Sequence, residues 1–199
     1  MIKPPFCERC GLPFDGEITG SFECGNCREI GFSFSGARAA VVFDGIMVDV
    51  IRRYKYRREM WFEPFLAGFL VQEAVPILKQ GKWDVIAPMP LHPVKRRERG
   101  FNQAERLAGH LSRASGLPLN GRLVQRVEPT PTQTNLSREE RAANVKRAFA
   151  AGAERPGKGA RVVLVDDVLT TGATTSACAA VLLTNGAKEV CVWTVARGL

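Results

Sequence analysis

Two adjacent carboxylates, Asp166 and Asp167, close the apolar run Val162-Val163-Leu164-Val165, and Thr170-Thr171-Gly172-Ala173-Thr174 follows after Val168-Leu169. Carboxylates of this kind accept hydrogen bonds from sugar hydroxyls or meet a hydrated Mg²⁺. Small and hydroxylated residues at a turn let backbone close on a phosphate. A turn that opens onto a helix also offers free N–H groups and the positive end of the dipole. A buried strand followed by a capped helix would account for one aspartate, but not for two together with this cluster of hydroxyl and glycine positions. The turn lacks the lysine of a G-x-x-x-x-G-K-S/T loop and the spacing of G-x-G-x-x-G, which sets both nucleotide loops aside.

A second cluster is built from sulfur. Cys7-Glu8-Arg9-Cys10 and Cys24-Gly25-Asn26-Cys27 are two C-x-x-C knuckles, and together they supply four thiolates for a tetrahedral Zn²⁺. The segment between them is polar and has no apolar pattern able to support a fold, so metal binding would supply its folding free energy. Four cysteines leave no open coordination position, which makes the role structural. Two disulfides or free thiols are the alternatives, and disulfides are rare inside cells. A redox role for one knuckle is the weaker rival, because no βαβ unit surrounds it. Cys178 and Cys191 read as small buried hydrophobes.

The third group is cationic. Arg52-Arg53-Tyr54-Lys55-Tyr56-Arg57-Arg58 interleaves five cations with two aromatics, and Lys95, Arg96, Arg97 and Arg99 crowd the loop 91–101. The first stretch is either a solvated helix end, where cations suit the dipole, or a grip on phosphate or a stacked base. The loop cations point where a pyrophosphate could lie. His92 in that loop reads as a hydrogen-bonding residue rather than a catalytic one, and His110 has no assigned partner.

These groups need a scaffold, and the apolar runs predict one. Strands are expected over 37–43, 84–90, 123–127, the run ending at Asp166, and 189–196. Helices are expected over 46–54, with Ile46, Val50 and Ile51 inward, and over 62–79, broken near Pro76. A helix starting at Asn102 has Glu105 in the capping-box position and Gly116 at its end, and another spans 174–185. Residues 32–36 read as a linker. The Pro/Thr-rich stretch 128–136 reads as a solvated loop or an active-site lid, followed by a capping box at Ser137 and Glu140. Central strands that are apolar on both sides imply an α/β fold with a parallel sheet and flanking helices. At 199 residues and 45% apolar, the chain suits one such domain over 36–199 plus a small ribbon over 1–35. No run of eighteen apolar residues exists and the N-terminus is not a signal peptide, so no membrane insertion is expected and a cytoplasmic location is the default. A net charge of +8 favours anionic partners.

The turn 166–174 closely resembles the phosphoribosyl-pyrophosphate (PRPP) signature of type I phosphoribosyltransferases. The chain as a whole resembles the ComF-type phosphoribosyltransferase-like proteins of bacteria, which are linked to natural competence. The likeness is carried by the paired knuckles, Lys55-Tyr56, Pro88-Met89-Pro90-Leu91 and Arg97-Glu98-Arg99-Gly100-Phe101-Asn102-Gln103. It continues in Thr132-Gln133-Thr134-Asn135-Leu136-Ser137-Arg138-Glu139-Glu140-Arg141, Asn144, Phe149 and the signature. The resemblance implies a type I phosphoribosyltransferase-like sheet behind a zinc ribbon held by Cys7, Cys10, Cys24 and Cys27. It further implies that Asp166 and Asp167 hold the ribose hydroxyls of PRPP, with Mg²⁺ bound mainly by ligand and water. Thr170, Thr171, Gly172, Ala173 and Thr174 would wrap the 5′-phosphate. The loop with Pro90, Leu91, His92, Arg97 and Arg99 would meet the pyrophosphate, and Lys55, Gln133, Arg138 and Arg141 would serve the lid or the acceptor. Many nucleobase phosphoribosyltransferases place a carboxylate at the position of Thr170, and threonine cannot act as that general base.

Three functions remain open at this level. The chain could be a Mg²⁺-dependent phosphoribosyltransferase that releases pyrophosphate to an unidentified acceptor. It could instead be a PRPP-sensing scaffold that binds single-stranded DNA and works with other competence proteins. Nucleobase salvage is the lesser alternative. The sequence specifies no oligomer interface.

Overall fold

A computed structural model of the chain describes residues 1–16, 20–128 and 147–199. The central sheet holds four parallel strands in the order β1 (Gly36–Val42), β6 (Glu189–Arg197), β5 (Arg161–Leu169), β2 (Val85–Pro88). Val162 to Val165 are fully buried, as expected of a strand covered on both faces. One face carries α2 (Gly45–Arg57), α3 (Phe62–Gln80) and α5 (Gln103–Ser115), packed on Val163, Val165 and Trp193. The other carries α6 (Ala173–Thr184) and an antiparallel pair, β3 (Val124–Arg126) with β4 (Phe149–Ala151), together with the N-terminal cysteines and α1 (Gly25–Glu29). Alternation along each strand divides the apolar side chains between these two cores.

Several expectations are corrected. In α2 the inward stripe is Met47, Val50, Ile51 and Tyr54, the i, i+3, i+4, i+7 pattern, while Ile46 sits one step off it and is 78% exposed. Helix α3 runs through Pro76, because its buried stripe Leu66, Leu70, Ala74 and Leu78 spans the proline and outweighs a cost of about 3 kcal/mol. The basic loop contains a further helix, α4 (Pro93–Arg99), with proline at its first position and His92 as its cap. Residues 32–36 are no free linker: Phe32 and Phe34 are buried and stacked, with ring centroids 4.7 Å apart. Asn102 caps α5 by accepting from the Ala104 amide at 3.1 Å, but Glu105 pairs with Arg96 at 3.2 Å, so the capping box is half made. The box at Ser137 and Glu140 lies outside the described residues.

Candidate active site

The site exists because neighbouring strands end at different heights. Pairing of β2 with β5 stops at Pro88 and Val165, and the Met89 amide makes the last bond, to the Val165 carbonyl at 2.8 Å. Strand β5 does not stop at its carboxylates as expected. It runs on to Leu169 beside β6 alone. A cleft of about 330 Å³ opens where β2 leaves off, at the carboxyl ends of the strands, where open α/β sheets place their ligands.

Asp166 and Asp167 both line this cleft. Successive strand residues take opposite faces, so the two carboxylates arrive from different sides. Asp167, 2% exposed, lies on the helical face in an ion pair with Lys55 from the last turn of α2. Asp166 accepts the Asp167 amide at 2.8 Å. Burial raises the Asp166 carboxyl to about 6, against the attraction of Lys55, Arg126 and Arg99. Burial likewise draws the Lys55 ammonium down to about 8, while Asp166 opposes it.

Thr170 and Thr174 line the same cleft, with Thr171 and Ala173 exposed beside it. Gly172 caps α6 with φ at 80°, a left-handed conformation that glycine adopts without strain. The first intrahelical bond runs from the Ser176 amide to the Gly172 carbonyl at 2.8 Å, so the amides of residues 173–175 precede the helical ladder. Thr171 Oγ1 accepts the Ala173 amide at a long 3.4 Å, and the Thr175 hydroxyl closes back on the Gly172 carbonyl at 2.9 Å.

The opposite wall comes from the loop after β2. Pro90 and Leu91 line the cleft, as do Lys95 and Arg99, one turn apart on α4. Arg97, half a turn from both, is exposed away from it. His92 is not in the lining: its Nδ1 accepts the Val94 amide at 3.3 Å. Buried Asn102 fixes the loop's far end, donating from Nδ2 to the Met89 carbonyl at 3.1 Å. Arg99 donates to Gln103 and lies over the Tyr56 ring, 5.2 Å from its centroid. Gln133, Arg138 and Arg141 lie outside the described residues.

Lys95, expected only as one of four loop cations facing a pyrophosphate, lines the cleft, and so do Gln103, Arg126 and Phe43, to which the sequence reading gave no role. The i, i+4 spacing of Lys95 to Arg99 sets these two apart from Arg96 and Arg97, and Gln103 could have been found from its place in the first turn of α5. Arg126, at the end of β3, carries no local signal. A buried network was missed as well: Glu63 on α3 accepts from Arg106, from the Tyr54 hydroxyl at 3.1 Å and pairs with His110 at 2.9 Å. Burial opposes the charged form of Glu63, but these hydrogen bonds outweigh it and hold the carboxyl below its usual range. This is the partner that His110 lacked in the sequence.

The four N-terminal sulfurs lie within 4.8 Å of one another, all buried and none in a disulfide. Three of their separations are 3.5, 3.6 and 3.7 Å. A tetrahedron of thiolates about 2.3 Å from a zinc ion has edges of about 3.8 Å, so this donor set fits a metal such as zinc. Burial raises the Cys7 thiol, yet the amides of Cys24, Cys10 and Arg9 outweigh it and bring it to about 7.

A parallel sheet with an acid pair and a hydroxyl-rich helix entry at its carboxyl end defines a phosphoribosyl transferase domain, and the model of that family matches residues 99–199. Competence protein F of Haemophilus influenzae is 33% identical over 203 residues, covering 97% of this chain and 85% of its own. The DNA utilization protein YhgH of Salmonella typhimurium is 32% identical over 196 residues, covering 97% and 84%. Among solved structures, a purine phosphoribosyltransferase from Pyrococcus horikoshii aligns with a TM-score of 0.45 at 20% identity, over 67% of this chain and 83% of that one. The chain belongs to the competence protein F family of phosphoribosyl transferase domain proteins. Among the described residues no helix is long and apolar enough to cross a membrane.

Proposed function

We propose that the cleft binds PRPP with Mg²⁺ and that the protein is a phosphoribosyltransferase, displacing pyrophosphate from the ribose anomeric carbon in favour of an acceptor yet to be identified. The observation that carries this reading is the convergence of Asp166, Asp167, Lys55, Lys95 and Arg99 with Thr170 and Thr174 in one cleft at a helix N-terminus. In this reading the carboxylates accept the ribose hydroxyls and stand near the Mg²⁺ that the diphosphate carries. The 170–174 turn takes the 5′-phosphate, and Lys55, Lys95 and Arg99 neutralise the leaving pyrophosphate. Threonine at position 170 offers no general base, so the rate would rest on stabilising the departing charge. Calorimetric titration with PRPP and Mg²⁺ tests the binding, with Asp166→Ala plus Asp167→Ala expected to abolish it. Full-strength binding by that double variant removes the assignment. Pyrophosphate release over a panel of bases and oligonucleotides then tests turnover.

A second reading is favoured by the rim: a PRPP-responsive scaffold for single-stranded DNA. Tyr56 is 71% exposed above Arg99, and Arg57, Arg58, Arg96 and Arg97 are exposed nearby. An exposed ring among cations suits a stacked base and its phosphates. The name of the Salmonella relative, a DNA utilization protein, agrees with it. Strand binding that weakens steeply with salt and survives Asp167→Ala, without pyrophosphate release, supports the scaffold over the enzyme. The thiol cluster is proposed to hold zinc.

A further inference from the structure

Arg197, the last residue of β6, is 7% exposed, and its guanidinium spans two parts of the molecule that are far apart in sequence. Toward the ribbon, Nε donates to the Cys10 carbonyl at 3.0 Å and Nη2 to Cys10 Sγ at 3.5 Å. Toward the phosphate turn, Nη1 donates to the carbonyls of Leu169 at 3.2 Å and Thr170 at 2.6 Å, and also to that of Gly198. Among the described residues no carboxylate stands within ion-pair distance of it. A buried cation that leans only on carbonyl dipoles and a thiol is strongly disfavoured. Four thiolates around a divalent ion carry two excess negative charges, and Cys10 Sγ would bring that charge against Nη2. The guanidinium therefore has its counter-ion when a metal is bound, and with its other donors it holds the two residues at which β5 becomes the turn.

The rest of the ribbon presses on the same turn. Phe32 lies where a side chain at position 172 would go, 2.9 Å from the place of a Cβ, and the Ser33 amide donates to Ser176 Oγ at 3.0 Å. Arg9 in the first knuckle holds the Phe32 carbonyl at 2.6 Å. Arg197 is nonetheless the one of these contacts that joins a cysteine sulfur to the turn's own carbonyls.

We propose that Arg197 is a positioning residue that couples a metal ion on the four thiols to a sugar phosphate in the 170–174 turn, so that each strengthens the hold on the other. The inference rests on the reading of that turn as a phosphate site, and coupling of this kind is reciprocal.

The test uses the full-length zinc-loaded chain. Zinc affinity is measured by equilibrium competition with a chelating dye, with and without PRPP and Mg²⁺. PRPP is expected to tighten zinc binding within the range of about 5- to 150-fold typical of coupled sites. In Arg197→Gln that tightening disappears although the variant still carries one zinc per chain, and Arg197→Lys falls between. Where Arg197→Gln fails to retain zinc, Arg197→Lys carries the same comparison. Calorimetry on the same samples separates the two ideas: PRPP heat in the parent chain with unchanged zinc affinity overturns the coupling. If the parent chain gives no PRPP heat, the phosphate reading falls instead. The strut is then judged without ligand, by hydrogen exchange of residues 168–176. Faster exchange in the zinc-loaded variant than in the parent sustains it, and equal exchange overturns it.

Discussion

Replacing Asp166 with asparagine should make the protein more stable and less able to bind its ligand. Burial raises this carboxyl from an ordinary 3.8 to about 6. Above pH 6 the native chain therefore holds a charge that the unfolded chain carries at less cost. The sign follows from linkage. Between 3.8 and 6 the native state binds a proton that the unfolded state has released, so stability falls as pH rises through this window. At 1.36 kcal/mol per pKa unit the penalty at pH 7.5 is at most about 3 kcal/mol. Asp166 is partly open to the cleft and helps to balance Lys55, so a gain of about 1–3 kcal/mol is expected for Asp166→Asn. In a domain of this size that corresponds to about 2–4 °C in Tm for each kcal/mol. Urea unfolding at pH 7.5, 5 and 4, with zinc held constant, reads it. The gain should halve by about pH 5 and fall to about a fifth by pH 4. A less stable variant at pH 7.5, or a gain that does not shrink on acidification, refutes the argument that burial dominates at this carboxylate.

Other consequences can be measured separately. Gly172→Ala forces a side chain into a left-handed turn, costing about 1–2 kcal/mol, and against Phe32, costing about 1–3 kcal/mol more; a melting curve within 0.5 kcal/mol of the parent would contradict this. Glu63→Gln should cost about 2–3 kcal/mol at neutral pH, discounted from a fully buried pair because Arg106 is half exposed. The Glu63 carboxyl is depressed, so its contribution is present above its ordinary range and lost as pH falls through its native value. Parent and variant should therefore converge in urea titrations run in acid. PRPP affinity should decline as pH rises through about 8, where Lys55 loses its proton, and Lys55→Met should be weak and flat across that range by calorimetry. Elemental analysis should find one zinc per chain and a loss of it in Cys24→Ser; a near-zero content in protein purified without chelator would remove the metal.

Much of the fold could be read from the sequence because its strongest signals are local. A strand buried on both faces leaves an unbroken apolar run at 162–165, the glycine turn at 170–174 needs small residues in sequence, and two knuckles need only their spacing. What was hidden depends on distant pairing or on a choice between near-equivalent phases. Helix α4 is nearly all charged and buries nothing, so no periodicity betrays it. Ile46 and Met47 are both apolar, and only docking on the sheet decides which turns inward. Arg126 reaches the cleft from a strand with three residues, and Glu63 meets Arg106 and His110 across 43 and 47 positions of chain. Among the expected site residues, Arg97 and His92 were drawn in by sequence proximity. The rotation of α4 and the capping of its first turn send them elsewhere.

The N-terminal segment also closes the outer side of β1. The Ile2 amide reaches the Ala40 carbonyl at 2.8 Å, the Arg9 carbonyl takes the Ala37 amide at 2.8 Å, and Arg38 Nη1 grips the Glu8 carbonyl at 2.6 Å. Without this cover β1 would offer a row of unsatisfied backbone groups, the template on which strands of separate molecules pair and precipitate. With zinc on the thiols as proposed, its loss would then endanger solubility as well as any chemistry, by baring an adhesive border along the sheet.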